Sequence, residues 1–205
     1  MPADQYFSAD PTSEAHWRPL RVSLAGHDLT LTTASGVFAA DALDRGTRVL
    51  LEAVPEPPRT GRFLDVGCGW GPIALSLALQ SPEAQVTAVD VNARSREACT
   101  RNAALAGCPN VTVCAPEEVP AEARFDVIWS NPPIRIGKAQ LHELLSLWLG
   151  RLTPTGEAWL VVGKQLGADS LLRWIQEIPG VRAERAATSR GFRVLRVWRA
   201  PAAQG

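Results

Sequence analysis

From Gly61 onward, short apolar runs alternate with stretches whose apolar residues repeat at helical spacing. RFLDVG leads into PIALSLALQ, and QVTAVDV leads into NARSREACTRNAALAG. NVTVCA, FDVIWSN and EAWLVVGK follow, the last two separated by KAQLHELLSLWLGRL. Runs this short and this apolar read as buried strands. In the helical stretches Leu141, Leu144, Leu145, Trp148, Leu149 and Leu152 share one face, and Leu171, Trp174, Ile175 and Ile178 of GADSLLRWIQEI repeat the pattern. Such stripes predict core-facing helices. The final runs VRAERAA and FRVLRVW are joined by a short TSRG-type turn and should pair antiparallel. Together the seven runs predict an α/β, Rossmann-like doubly wound sheet, mostly parallel, with an antiparallel last strand.

Before Gly61 the period changes. Leu20, Val22 and Leu24, then Leu29 and Leu31, alternate with polar residues around AGHD, which predicts a β-hairpin. A helix is expected over residues 40–54, ending before PEPP. This part is too small for a core of its own. The reading is therefore one domain over 1–205, with residues 1–60 a hairpin and helix extension packed on a catalytic core at 61–200.

Composition narrows the class. With 46% apolar and 20% charged residues among 205, the chain can bury a core, which excludes disorder. No run is long and apolar enough to span a membrane, and MPADQYFSADPTSEAHWRP lacks a basic patch followed by an apolar stretch. A cytoplasmic protein, monomeric or loosely dimeric and without a membrane partner, is expected. Its 21 basic and 21 acidic residues balance, which argues against a protein that coats DNA and allows an enzyme with one local basic patch. Cys68, Cys99, Cys108 and Cys114 form neither a CxxC pair nor a zinc spacing, so they read as reduced, buried residues and no metal is expected.

Candidate chemistry begins at LDVGCGWGP. An apolar strand ends at Asp65, and Gly67, Gly69 and Gly71 let the chain turn sharply into a helix while a ligand approaches closely. Pro72 stands where a dinucleotide fingerprint has its third glycine. Asp65 would repel a pyrophosphate but suits a cofactor bearing an ammonium and a sulfonium, which favours S-adenosylmethionine over NAD. A second acid, Asp90, ends the strand QVTAVD about 25 residues later, where a carboxylate can accept both ribose hydroxyls of an adenosine. Asn92 reads as a helix cap.

The second motif is SNPPI, directly after FDVIW. Two prolines stiffen the loop. The amide oxygen of Asn131 and the carbonyl of Pro132 can grip both hydrogens of an exocyclic amine and aim its lone pair at a methyl group. Positioning of that kind accounts for much of the rate of a bimolecular displacement.

LDVGCGWGP, AVDVN and SNPPI together resemble the class I S-adenosylmethionine methyltransferases that modify planar amines. More closely, the chain is similar to the methyltransferase small-domain family, whose best-known members methylate guanine amines in ribosomal RNA. QYFS near the start, TASGVF with ALDRGTRVLL, SNPPIRIGK with LHELL, and GKQLGADSL extend the likeness, which looks like the short, single-domain form. It implies a transfer from S-adenosylmethionine to guanine N2 of 16S ribosomal RNA, with that RNA or the small-subunit particle as partner. It also implies that Asp65, Gly67, Gly69 and Gly71 form the methionine-side pocket, that Asp90 meets the ribose, that Val91, Ala115 and Asn131 are further cofactor contacts, and that Asn131, Pro132 and Pro133 clamp the amine. Phe38 would sit near the cofactor or target base.

Two positions depart from that pattern. Ile134 follows Pro-Pro where many amine methyltransferases carry an aromatic residue, so base contact there is dispersion without stacking. CAPEEV replaces the acid that many relatives place at the adenine amine. Ala115 offers only backbone contacts, and Glu117 or Glu118 is left as candidate. Arg135 and Lys138 read either as phosphate contacts or as solvated charges, as does Lys164. His142 reads as a surface residue, Cys68 as a small packing residue, and the arginine run from Arg182 to Arg199 as a charged edge strand or an RNA-facing strip. Rival acceptors are a protein glutamine amide and adenine in DNA or transfer RNA; a non-catalytic binding module is the remaining alternative.

Overall fold

The computed structural model of the protein describes residues 14–200. The QYFS segment lies outside the described residues. Nine strands and five α-helices follow one another among them: β1 Trp17–Leu24, β2 His27–Ala34, α1 Arg45–Ala53, β3 Arg62–Val66, α2 Pro72–Gln80, β4 Gln85–Val89, α3 Ala93–Leu105, β5 Val111–Cys114, β6 Phe125–Ser130, α4 Lys138–Leu149, β7 Leu152–Gly163, α5 Ala168–Gln176, β8 Val181–Ser189 and β9 Phe192–Arg199.

β3 to β9 make one seven-stranded sheet in the order β5-β4-β3-β6-β7-β9-β8. Neighbours from β5 to β7 pair parallel, while β9 pairs antiparallel with both β7 and β8. Strand order reverses between β3 and β6, so the crevice at their carboxyl ends is the place where such sheets bind ligands. The sheet is apolar on both faces, as parallel strands under helices require. Leu64, Ile128, Leu160 and Leu195 pack on one face with α4 and α5; Phe63, Val127, Trp129 and Val161 pack on the other.

β1 and β2 form the expected hairpin, in register from Trp17↔Ala34 to Leu24↔His27. Its turn places Ala25 at φ 49° and Gly26 at φ 80°, the left-handed pair that matches strand twist in a two-residue loop. Leu20, Leu24 and Leu31 join the same apolar cluster as Ile73 and Leu77 of α2. Asn102 on α3 then ties the hairpin to the glycine turn. Its amide accepts from Thr32 N and donates to Thr32 O and Trp70 O, each at 2.8 Å.

Two expectations change. The helix expected over 40–54 starts at Arg45, because Ala39 turns left-handed (φ 52°) and Asp44 caps the helix by accepting from Thr47 N at 3.0 Å. The arginine run is not a strip on one edge. β9 is interior, and Arg193 pairs with Asp169 while Arg196 pairs with Glu157 and Glu184. Arg190 in the β8–β9 turn pairs with Glu52. Arg182 and Arg185 alone of the run lie exposed on the edge strand β8, where charge discourages pairing with another chain.

Candidate active site

The glycine turn is held by backbone geometry that side chains tolerate poorly. Gly67, Gly69 and Gly71 sit at φ 79°, 55° and 98°. The N–H groups of Gly67 and Cys68 donate to Val89 O at 2.8 and 3.0 Å, and Gly69 N donates to Asp90 Oδ2 at 2.9 Å. The three glycines do different work. A Cβ on Gly67 or Gly69 would project into open space, whereas one on Gly71 would lie 2.8 Å from Cys99 Sγ. Gly71 therefore serves close packing and the start of α2, where Pro72 takes the first helical position, rather than the cavity wall.

Asp65 is fully buried, with Oδ2 accepting from Ala74 N at 3.0 Å and Oδ1 without any partner. Burial raises its pKa to about 8; the Ala74 N–H opposes the shift, and nearby Asp90 adds to it. Asp90 is raised for the same first reason, against donation from Asn92 N at 2.9 Å and Gly69 N and the nearby Arg96. Asn92 caps α3 through Ser95 N, as its spacing predicts. Val91 beside it is 46% exposed. Past β5, Glu118 folds back to accept from Ala115 N at 2.6 Å, so this carboxylate is engaged by its own turn. Glu117 is exposed. Cys68 is buried, and its thiol is pushed well up, first by a hydrogen bond with Cys99 and then by burial, which makes it a packing residue and no nucleophile.

Asn131 leaves β6 on the other side of the crevice. Its Nδ2 donates to Asp44 Oδ2 at 2.8 Å and to Thr47 Oγ1 at 3.1 Å, both at the start of α1. A carboxylate only accepts, so this pairing settles which end of the amide is nitrogen and leaves Oδ1 as the free acceptor. Pro133 adopts φ −74° and ψ 77°, and Ile134 N donates to Pro132 O at 2.8 Å. That is an inverse γ-turn, and it leaves one lone pair of the Pro132 carbonyl available. Ser130 Oγ donates to Val66 O at 2.6 Å, fastening this loop to the end of β3.

One cavity joins the two halves. Phe38, Asp44, Thr47, Gly67, Gly69 and Asn131 line it, with Trp70 behind. The loop carrying Phe38 is pinned by Trp70 Nε1 donating to Ala39 O at 3.2 Å. Phe38 is 48% exposed at its mouth. Arg135, Lys138 and Lys164 are exposed at the same carboxyl end of the sheet. His142 lies elsewhere, stacked on Trp174 with ring centroids 3.7 Å apart. Asp44, Thr47, Ser130 and Asn102 carry no role that the sequence motifs suggest. An aspartate three residues before Thr47 is a capping signal that the helix expected over 40–54 passed over, and nothing local shows that its carboxylate reaches a residue 87 positions away.

The methyltransferase small domain pattern matches residues 28–196. The chain belongs to that family. It is an S-adenosylmethionine-dependent methyltransferase by family and by fold. Over 179 residues it is 35% identical to the uncharacterized protein YbxB of Bacillus subtilis (strain 168), covering 86% of this chain and 89% of that one. It is 38% identical over 173 residues to ribosomal RNA small subunit methyltransferase C of Salmonella typhi, covering 82% of this chain and 49% of the relative. Among solved structures it resembles the T. thermophilus 16S rRNA N2 methyltransferase in complex with AdoMet and guanosine, with TM-score 0.77 and 27% identity, covering 93% of this chain and 52% of that one. The chain thus spans about half the length of these two ribosomal RNA methyltransferases.

The residues present fit the cofactor. Asp65 Oδ1 is a buried acceptor without a donor, and the space beside Gly67 and Gly69 is what a Cβ would fill.

Proposed function

We propose that the protein methylates an exocyclic amine, N2 of guanine in 16S ribosomal RNA, in the naked RNA or a small-subunit particle. The observation that carries this reading is the amide of Asn131, whose nitrogen is occupied by Asp44 and Thr47 and whose oxygen is left to accept at the cavity. In this reading S-adenosylmethionine would lie along the glycine turn, with Asp65 toward its ammonium, Gly67 and Gly69 against its methionine part, and Asp90, with exposed Val91 beside it, toward its adenosine part. Once bound, it supplies a methyl group on a sulfonium.

The protein's residues do the positioning. Asn131 Oδ1 and Pro132 O accept the two amine hydrogens, which turns the nitrogen lone pair out of conjugation with the ring. The N–C bond forms as the C–S bond breaks, and the surplus proton passes from nitrogen to water. No side chain of unusual basicity is needed, because the sulfonium already activates the methyl. Phe38 and Ile134 hold the flat base from its faces, with Phe38 supplying the aromatic contact that Ile134 lacks. A base within a helix has to be extruded, or presented unpaired by an assembly intermediate.

The guanine assignment draws on the names of the relatives; the amine clamp draws on this chain's geometry. Among the described residues no helix is long and apolar enough to cross a membrane and no group of side chains could hold a metal. A ribosomal RNA substrate would place the activity in the cytoplasm. Nucleoside analysis of small-subunit RNA from strains with and without the gene tests the assignment. N2-methylguanosine missing from one position in the deletion strain supports it; unchanged modified nucleosides contradict it.

A further inference from the structure

Charge is divided across the crevice although the chain carries none overall. Asp65, Asp90, Glu117 and Glu118 stand at the ends of β3, β4 and β5, on the side assigned to a cationic cofactor. Beyond Asn131 the sign reverses. Arg135 and Lys138 follow β6, Lys164 follows β7, and Arg45 opens α1 beside Asp44. All four are exposed, and none forms an ion pair among the described residues.

Contacts tie together the segments that carry these cations, with Arg135 and Lys138 four and seven residues past Asn131. Asp44 holds Asn131; Gly46, next in the helix, abuts the Phe192 ring; and Gly191 O accepts from Lys164 N at 2.8 Å. Arginines just behind this rim, Arg190, Arg193 and Arg196, are all paired with acids. The rim is therefore a local excess and not an average property of this half of the molecule. Two of the largest exposed apolar side chains, Phe38 and Leu166 at 48% and 50%, border it. Cations interleaved with exposed apolar side chains suit a strand whose phosphates need neutralising and whose bases are unstacked.

We infer that Arg45, Arg135, Lys138 and Lys164 form the docking rim for the phosphate backbone of a single-stranded RNA segment, which delivers its target base to Asn131. The inference rests on the RNA reading above and adds the surface that recognises the strand. It also accounts for a neutral enzyme acting on a polyanion, because affinity comes from one rim and not from net charge.

The experiment measures binding of a single-stranded fragment of small-subunit RNA across a salt series. Wild type is compared with Arg135→Glu, Lys164→Glu, and Arg182→Glu on the far edge strand as control. The rim variants should bind about tenfold more weakly at low salt, and each substitution should reduce the slope of log affinity against log salt by about one, the worth of one phosphate left unneutralised. Arg182→Glu should match wild type, and cofactor affinity should be unchanged in all three. RNA affinity and slope unaltered by the rim substitutions would overturn the inference, as would an equal loss from Arg182→Glu. RNA bound through the rim but never methylated would support the rim and contradict the guanine reading. RNA methylated with full affinity by the rim variants would do the reverse.

Discussion

The side-chain nitrogen of Asn131 lies 2.8 Å from Asp44 Oδ2, so the first helix of the N-terminal segment sets the orientation of an amide in the crevice. The same Asp44 oxygen accepts from Thr47 N at 3.0 Å, so capping the helix and aiming the amide are one arrangement. Two substitutions separate these tasks. Asp44→Ser keeps a capping oxygen but is too short to reach Asn131, and should lower kcat about a hundredfold with little change in melting temperature. Asp44→Ala should lose kcat similarly and destabilise the fold by about 1 kcal/mol besides. Cofactor Kd should stay within about twofold in both, since misplacement of a group at the substrate does not touch the cofactor pocket. Isothermal titration and initial rates, measured together, check the pattern; parallel losses of kcat and cofactor affinity would contradict it.

Asp65 makes stability depend on pH. Its folded pKa of about 8 lies above the ordinary 3.8, so the folded state favours the protonated form. The stability this contributes is fully present below about pH 3.8 and is lost as pH rises through 8. Between those limits Asp65→Asn should become progressively more stable than wild type, by at most about 1.4 kcal/mol per pH unit. Denaturant melts at pH 5, 6, 7 and 8 measure the difference. Cofactor affinity should move oppositely. Pairing with an ammonium requires the carboxylate, so wild-type affinity should rise toward pH 8 while Asp65→Asn binds weakly and without that rise. A constant stability gap between the two proteins over this range would mean that Asp65 is already ionised.

Much of this was legible in the chain because the signals are local. The strand-to-turn motifs LDVGCGWGP and SNPPI put their residues at the ends of β3 and β6, which the sheet makes neighbours. Asn92 as a cap likewise followed from its position before a helix, whereas His142, expected at the surface, is half-buried against Trp174, a partner from another helix. The unreadable part depends on distant partners. Asp44 and Asn131, or Thr32 and Asn102, meet only after the extension packs on the sheet, and no periodicity encodes that. The arginine run misled for a related reason: a strand's place in the sheet is set by topology, so interior β9 could not be told from edge β8 by its charges.

The glycines should separate by experiment. Gly71→Ala puts a methyl 2.8 Å from Cys99 Sγ at φ 98° and should destabilise the fold by about 2 kcal/mol. Gly69→Ala, at φ 55° with open space around the new carbon, should cost about 1 kcal/mol and weaken cofactor binding at least tenfold by filling the ligand's space. Thermal melts beside cofactor titrations check both. Equal effects of the two substitutions on affinity would show that the glycines do not divide their work.

Phe38 supplies the only aromatic ring that lines the cavity from the mouth side among the described residues. Phe38→Ala should raise KM for the nucleic acid about tenfold, the worth of one stacked base, with cofactor Kd unchanged. Phe38→Tyr should restore it, because the ring and not its exact edge makes the contact. Failure of the tyrosine to rescue would point to a structural role in the pinned loop.

The most direct measurement uses labelled S-adenosylmethionine with wild type and Asn131→Ala side by side, offered small-subunit particles, large-subunit particles, naked ribosomal RNA and protein extract from a strain lacking the gene. The expected result is label in guanine N2 of small-subunit RNA or particles with wild type, none with Asn131→Ala, and cofactor binding nearly equal in the two. Turnover surviving in Asn131→Ala would contradict the amine clamp, and label confined to protein would move the acceptor to a glutamine side chain.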